Sequence, residues 1–347
     1  MVAPLLSRFG RTVAVAAIAG VAVSACGVSH VMGSGAQTCN GSAALCSRPL
    51  DEVVFPGTHN SFTASSVPGW YFASQTYPIP RQLRDGIRAL LVDVHYGVRD
   101  PANGRVRTDL GAEGSDRNKV AEQLPASALQ VADRIAGGVG LGNLKGTPEP
   151  YLCHTLCELG ADPLERELKA VASFLKDNPR QVVIVIVEDY VPPKTIERSF
   201  DAAGLTRYAE TLPVHSPLPT LGQLIDSDRR LLVFAEVKGG TPGWYMPAFE
   251  FIQDTPLGAL HPAQLSCDRY RGTSAGPLLL INHWIPPFPP SPAINAQIGR
   301  GAFLRARIGR CTRERGIHGA IVAVDFYERT DVVEVARELN GGGDPRR

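Results

Sequence analysis

The sequence predicts an α/β fold whose parallel strands close, or nearly close, into a barrel. Three observations carry this expectation. Seven apolar runs alternate with helical segments. The run Val182 to Val187 has no polar alternation, as a strand covered on both faces requires. Every run closes in polar residues at its C-terminal end, where the βα loops of such barrels gather their chemistry. A doubly wound open sheet is the alternative, but no G-x-G-x-x-G or Walker loop follows a strand.

Residues 1–26 read as an export signal. Arg8 and Arg11 precede the apolar run Val13 to Ala25, which is short for a bilayer span and right for a signal-peptide core. The run ends in Val23-Ser24-Ala25-Cys26, which resembles a bacterial lipobox. Cys26 is therefore expected to be lipidated and to tether the chain to the outer face of the cell membrane. Plain secretion is the alternative. Residues 27–47 read as a tether and a Cys-bracketed loop, 48–340 as one catalytic domain, and 341–347 as a tail.

Within the domain, the strands are read in order from DEVVFPGTHNS, RALLVDVHYG, PYLCHT, QVVIVIVEDY, RRLLVFAEVK, LLLINHW and AIVAVDFYE. The clearest helix is DPLERELKAVASFLKDNP, with Asp162 as its cap, Pro163 at its first position and Asn178-Pro179 as its stop. Leu164, Leu168, Val171, Ala172 and Leu175 form its core-facing stripe. A second helix is expected over about 331–339, capped by Thr330 or Asp331 and stopped by Gly341. High glycine (35) and proline (28) counts imply many turns and long loops.

The 35 basic and 34 acidic residues give a net charge of +1 and form no basic block, which argues against a nucleic-acid partner. A monomer is expected. Seven cysteines less Cys26 leave six, an even set in an exported chain. Neighbour pairing of Cys39 with Cys46, Cys153 with Cys157 and Cys267 with Cys311 is the simplest scheme. Metal binding by Cys153 and Cys157 is the rival.

Two histidines stand at strand ends. His59 follows a Gly-Thr and precedes Asn60-Ser61, and His154 sits between Cys153 and Cys157. Converging across a barrel mouth, one imidazole takes a proton while the other gives one. Asn60, Asp93 and Glu188 are oxygen donors on neighbouring strand ends and suit a hard cation, Ca²⁺ before Zn²⁺. For Asp93 and Glu188 the plain alternative is a rim salt bridge to arginine.

In order and spacing, PGTHNSFT, GIRALLVDVHYG, YLCHTLCELG and VVIVIVED resemble the motifs of the phosphatidylinositol-specific phospholipase C X-domain family. LLLINHW, VAVDFYERTDVVEVARELN and CNGSAALC are similar to its secreted, Cys-containing branch. The resemblance spans roughly Cys39 to Asn340 and implies a distorted TIM-type barrel. It implies His59 as general base, His154 as general acid, and Asn60, Asp93 and Glu188 as Ca²⁺ ligands. Leu91 stands where metal-dependent members carry an acid, so a weak site is expected, with water or His95 filling the gap. Without metal, Arg88 or Lys238 would have to serve. Glu236 stands where a cation would grip extra phosphates, which disfavours a polyphosphoinositide.

The expected activity is cleavage of phosphatidylinositol or a related glycolipid at a membrane surface, with the aromatic group Trp70, Tyr71, Phe72 and Tyr77 as lid or membrane contact. Two rivals remain. A non-catalytic surface protein would bind lipid headgroups or glycans in the barrel mouth. A serine esterase would use GTSAG, Gly272 to Gly276, but that motif needs a strand before it and a helix after it.

Overall fold

Alternation of buried faces, rather than of buried and exposed ones, organises the strands of this chain. The computed structural model describes residues 37–108, 146–214, 217–286 and 289–341, with the single positions 130, 134, 137, 138 and 144. Cys26 and the rest of the expected signal segment lie outside the described residues, as do residues 342–347.

Among the described residues, eleven strands form one sheet. They are β1 (Val54–Thr58), β2 (Ala89–Arg99), β3 (Val106–Thr108), β4 (Glu149–Leu152), β5 (Asp162–Pro163), β6 (Val183–Asp189), β7 (Leu231–Ala235), β8 (Tyr245–Pro247), β9 (Ile252–Asp254), β10 (Leu278–His283) and β11 (Ala320–Val324). Eight of them run parallel in the order β8-β7-β6-β2-β1-β11-β10-β9. The two ends of that path, β8 and β9, are joined in sequence by the single helical turn Ala248–Phe251. The sheet thus curls back on itself as a distorted TIM-type barrel.

Successive residues point to opposite faces. Phe55, Leu91, Ile186, Phe234, Leu280 and Ile321 share one core cluster, the barrel interior. Val54, Val92, Val185, Val233, Ile281 and Val322 belong to another, packed against helices that include Leu168, Phe200, Leu304 and Val335. Both faces of each strand are therefore apolar, and burying one such side chain contributes about 1.5–3 kcal/mol. The inward series continues past the apolar layers into polar residues, and that continuation builds the mouth.

Three expectations are corrected. PYLCHT does not join the parallel barrel. As β4 it pairs antiparallel with the far end of β2, because β2 is eleven residues long and overshoots the rim. The parallel positions missed by the sequence are β8 and β9, three residues each and too short to show a period. The helix Leu164–Asp177 forms with Leu168, Val171 and Leu175 buried, but Asp162 lies in β5 and pairs with Arg166 instead of capping. Asp331 does stand at the cap position of Val332–Leu339, but its carboxylate accepts from the Gly301 N–H at 2.6 Å, and Thr330 Oγ1 accepts from the Val332 N–H at 3.4 Å. The three neighbour disulfides, Cys39–Cys46, Cys153–Cys157 and Cys267–Cys311, are all formed. No described helix is long and apolar enough to cross a membrane.

Candidate active site

Register places the first cluster. Thr58 of β1 pairs with Val324 of β11, which pairs with His283 of β10. The next residue on each strand is His59, Asp325 and Trp284, so the three meet at one level. His59 Nδ1 donates to Asp325 Oδ1 at 2.8 Å. Trp284 stacks on the His59 ring at 3.9 Å between centroids and 4° between planes. Gln75 Nε2 donates to the carbonyls of His59 (2.8 Å) and Val324 (3.0 Å), which locks the turn. Burial raises the Asp325 carboxyl above its ordinary pKa, against the opposing pull of His59.

Asn60 follows with φ +44°, a left-handed conformation that Asn tolerates better than most residues. Its Oδ1 is buried and has no partner among the described residues.

Asp93 of β2 and Glu188 of β6 are register partners on adjacent parallel strands. Burial, and then the Asp93 charge, raise the Glu188 pKa. The Tyr190 hydroxyl donates to Glu188, and Tyr190 stacks on the buried His95 ring at 4.2 Å. Neither carboxylate makes an arginine salt bridge among the described residues.

His154 follows β4, held by the Cys153–Cys157 disulfide. Its Nδ1 donates to Asp93 Oδ2 at 2.8 Å. Desolvation by the crowded pocket opposes charge on this ring, though its side chain is 49% exposed. The Asp93 hydrogen bond and the charges of Asp93, Glu188 and Asp325 outweigh that, and its pKa stands above the ordinary histidine value. The His59 and His154 rings lie 6.5 Å apart at 83°. Each histidine thus has an aspartate on Nδ1, and the two rings line one pocket with Asn60, Asp93 and Glu188.

On the far wall the sequence indicates Glu236 and Asn282 but not Arg271 or Asp254. Arg271 Nη1 donates to Glu236 Oε2 at 2.6 Å, and its Nε and Nη2 reach Asp254 Oδ2 at 2.8 and 2.7 Å. Asn282 Nδ2 approaches the same Asp254 oxygen at 3.3 Å. Glu236, Arg271, Asn282 and Leu257 line the pocket with the histidines. Burial pushes the Glu236 carboxyl up to about 7, with Arg271 pulling the other way. Arg88 is not here. It lines a separate cavity at the opposite barrel end, beside Gln181 and Asn340. Ser274 of GTSAG is exposed in a turn leading into β10, with no strand-to-helix elbow.

The donor set suits a hard cation. Asp93 and Glu188 stand side by side, and the Asn60 oxygen lacks a partner. No group of three or more His, Cys, Asp or Glu side chains among the described residues converges on a metal position, so the candidate set remains two carboxylates and one amide. Leu91 lines the pocket beneath them.

A family model described as PI-PLC X 1 matches residues 129–340, more than half of the chain. The chain belongs to the PI-PLC X family. The matched segment contains His154 and Glu188, while His59, Asn60 and Asp93 precede it. Among curated proteins, an uncharacterized secreted protein of Arthroderma benhamiae is 25% identical over 88% of this chain and 64% of its own length. PI-PLC X domain-containing proteins of Arthroderma benhamiae and Arabidopsis thaliana are 27% and 28% identical, each over 55% of this chain and over 69% and 49% of their own lengths. This PI-PLC X chain thus spans under two thirds of the first relative and about half of the plant one. Among solved structures, the phosphatidylinositol-specific phospholipase C of Listeria monocytogenes aligns over 87% of this chain and 98% of its own, at 15% identity and TM-score 0.41. That of Staphylococcus aureus aligns over 86% and 95%, at 11% identity and TM-score 0.48.

Proposed function

We propose that this PI-PLC X chain is an exported phosphodiesterase that cleaves phosphatidylinositol or a related glycolipid by internal attack of a headgroup hydroxyl. The observation that carries the reading is the pair of histidines 6.5 Å apart, each with an aspartate on Nδ1. That spacing accommodates a phosphate between them. His59, oriented by Asp325, takes the proton of the attacking hydroxyl. That oxygen bonds to phosphorus as the bond to the diacylglycerol oxygen breaks. His154, oriented by Asp93, protonates the leaving oxygen, a role its raised pKa favours. The products are a cyclic phosphate and a free lipid alcohol. Asn60, Asp93 and Glu188 are the residues that would hold a Ca²⁺. When bound, such an ion lowers the pKa of the attacking hydroxyl and offsets charge at phosphorus.

Export is supported by the three paired disulfides and by the similarity to a secreted protein of Arthroderma benhamiae. Lipid anchoring through Cys26 remains part of the same proposal. At the rim, Trp70 packs against the core while Tyr71 and Tyr77 are exposed, so the latter two are the side chains of that loop offered to a membrane.

The test is a phosphodiesterase assay on phosphatidylinositol vesicles with parent, His59→Ala and His154→Ala. Each substitution should lower the rate by at least about 10²-fold. An inactive parent that still binds inositol headgroups would instead favour the non-catalytic reading.

A further inference from the structure

At the end of the barrel away from the histidines lies a second cavity, of about 230 Å³. Its lining comes from chain just ahead of three strands: Val53 precedes β1, Gly86 and Arg88 precede β2, and Gln181 precedes β6. The helix Val332–Leu339 closes one side with Val333 and Ala336. Most of the wall is apolar, and no Asp or Glu belongs to it among the described residues. Arg88 brings a positive charge into it all the same. Its Nε donates to Gln181 Oε1 at 2.7 Å, and its Nη1 donates to the Leu83 and Ile87 carbonyls at 2.8 and 2.7 Å. Phe174 covers the guanidinium, with Cζ 4.9 Å from the ring centre. Among the described residues Nη2 has no partner and no carboxylate pairs with Arg88. Burial pulls the group down to about 10, and no acid pulls it back. The other arginine on the wall, Arg337, is already paired with Glu334.

A cation held partly out of water without a counter-charge is costly. Gln181 adds to the imbalance. Its Oε1 faces a guanidinium, which only donates, so the amide cannot turn over. Its Nε2 is left with two N–H groups and no partner among the described residues. Asn40 and Asn340 likewise engage their amide oxygens, with the Val182 and Val54 N–H groups. We propose that this cavity is a second ligand site, separate from the phosphodiesterase centre, for a small monocarboxylate with an apolar body. The carboxylate accepts from Arg88 Nη2 and Gln181 Nε2 and supplies the missing charge. Its ring or short chain lies against Leu45, Val53, Val333 and Ala336. An apolar cavity of about 150 Å³ takes up benzene, so about 230 Å³ leaves room for a ring and its carboxylate. A dianion such as phosphate would bring one charge too many against an apolar wall. The site stands whether or not the phosphodiesterase reading does.

The experiment is calorimetry at neutral pH with benzoate and benzyl alcohol, on the parent, Gln181→Glu and Val333→Phe. The parent should bind benzoate. Benzyl alcohol has nearly the same shape without the charge and should bind roughly ten- to a hundredfold more weakly, the scale of one charge-assisted hydrogen bond. Inorganic phosphate should not displace the benzoate. Gln181→Glu keeps an acceptor for Arg88 Nε and builds the missing carboxylate into the wall, so it should fold, lose at least about tenfold in benzoate affinity and keep its affinity for benzyl alcohol. Val333→Phe fills the cavity and should lose both ligands. Equal affinity of the parent for the two ligands, no uptake of benzoate, displacement of benzoate by phosphate, or benzoate affinity unchanged in Gln181→Glu each overturns the assignment. A carboxylate captured instead between the histidines would survive both substitutions and so counts against it. The comparison of ligands on the parent needs no substitution, so it decides the matter even where a variant fails to fold.

Discussion

Replacing Glu236 by Gln should change how stability depends on pH, in a direction that the pocket wall dictates. The Glu236 side chain is 10% exposed, with Arg271 at 2.6 Å. Burial pushes its carboxyl from 4.5 to about 7. Between those values the folded protein holds a proton that the unfolded chain has released. Below pH 4.5 both states are protonated and the group makes no difference. As pH rises through the window, stability falls, and above about 7 the loss is complete. The interval from 4.5 to about 7, at ~1.36 kcal/mol per pH unit, corresponds to about 3 kcal/mol. Gln keeps the shape and does not titrate. Urea denaturation of both proteins, disulfides intact, should therefore show the stability of Glu236→Gln minus that of the parent growing by about 3 kcal/mol between pH 4.5 and about pH 8. Titrating groups remote from Glu236 cancel in the difference, whereas Glu188 and Asp93, whose charges act on Glu236, add a smaller contribution of their own. A difference constant across that range would refute the reasoning.

Asp325→Asn should leave the near-ultraviolet circular dichroism intact but lower the rate by about 10²-fold or more, since the amide carries no charge and can turn its N–H toward His59 Nδ1, leaving the ring in the wrong tautomer; an unaffected rate would remove Asp325 from the mechanism. Phosphodiesterase activity should fall with chelator, return on calcium titration with a midpoint of about 10⁻⁴–10⁻³ M, and disappear in Glu188→Gln. Full activity in excess chelator would overturn the ligand set Asn60, Asp93 and Glu188 together.

What was legible in the sequence follows from range. Each long strand announced itself through an unbroken apolar run, and its polar C-terminal end marked the mouth. His59, His154, Asn60, Asp93 and Glu188 were readable for that reason, and the structure brings them into one pocket. β8 and β9 left no such trace, being three residues each. The partnership of Asp325 with His59 was half visible, because Asp325 ends the seventh run, but the register that joins them spans 266 residues. Arg271 lies in a loop with no periodic signal, so the cation that holds Glu236 was not foreseen. The antiparallel turn of β4 was hidden too, since PYLCHT reads as a strand whichever way it runs. Helix caps failed where a carboxylate found a stronger local partner, as Asp162 did with Arg166.

The central claim is that His59 and His154 act on one phosphate through internal attack. Phosphorus NMR of phosphatidylinositol during turnover tests it most directly. The account predicts a resonance of a five-membered cyclic phosphodiester as the first product with the parent, and none with His59→Ala or His154→Ala. An acyclic phosphomonoester as the first product, or an undiminished cyclic resonance with either variant, would contradict it.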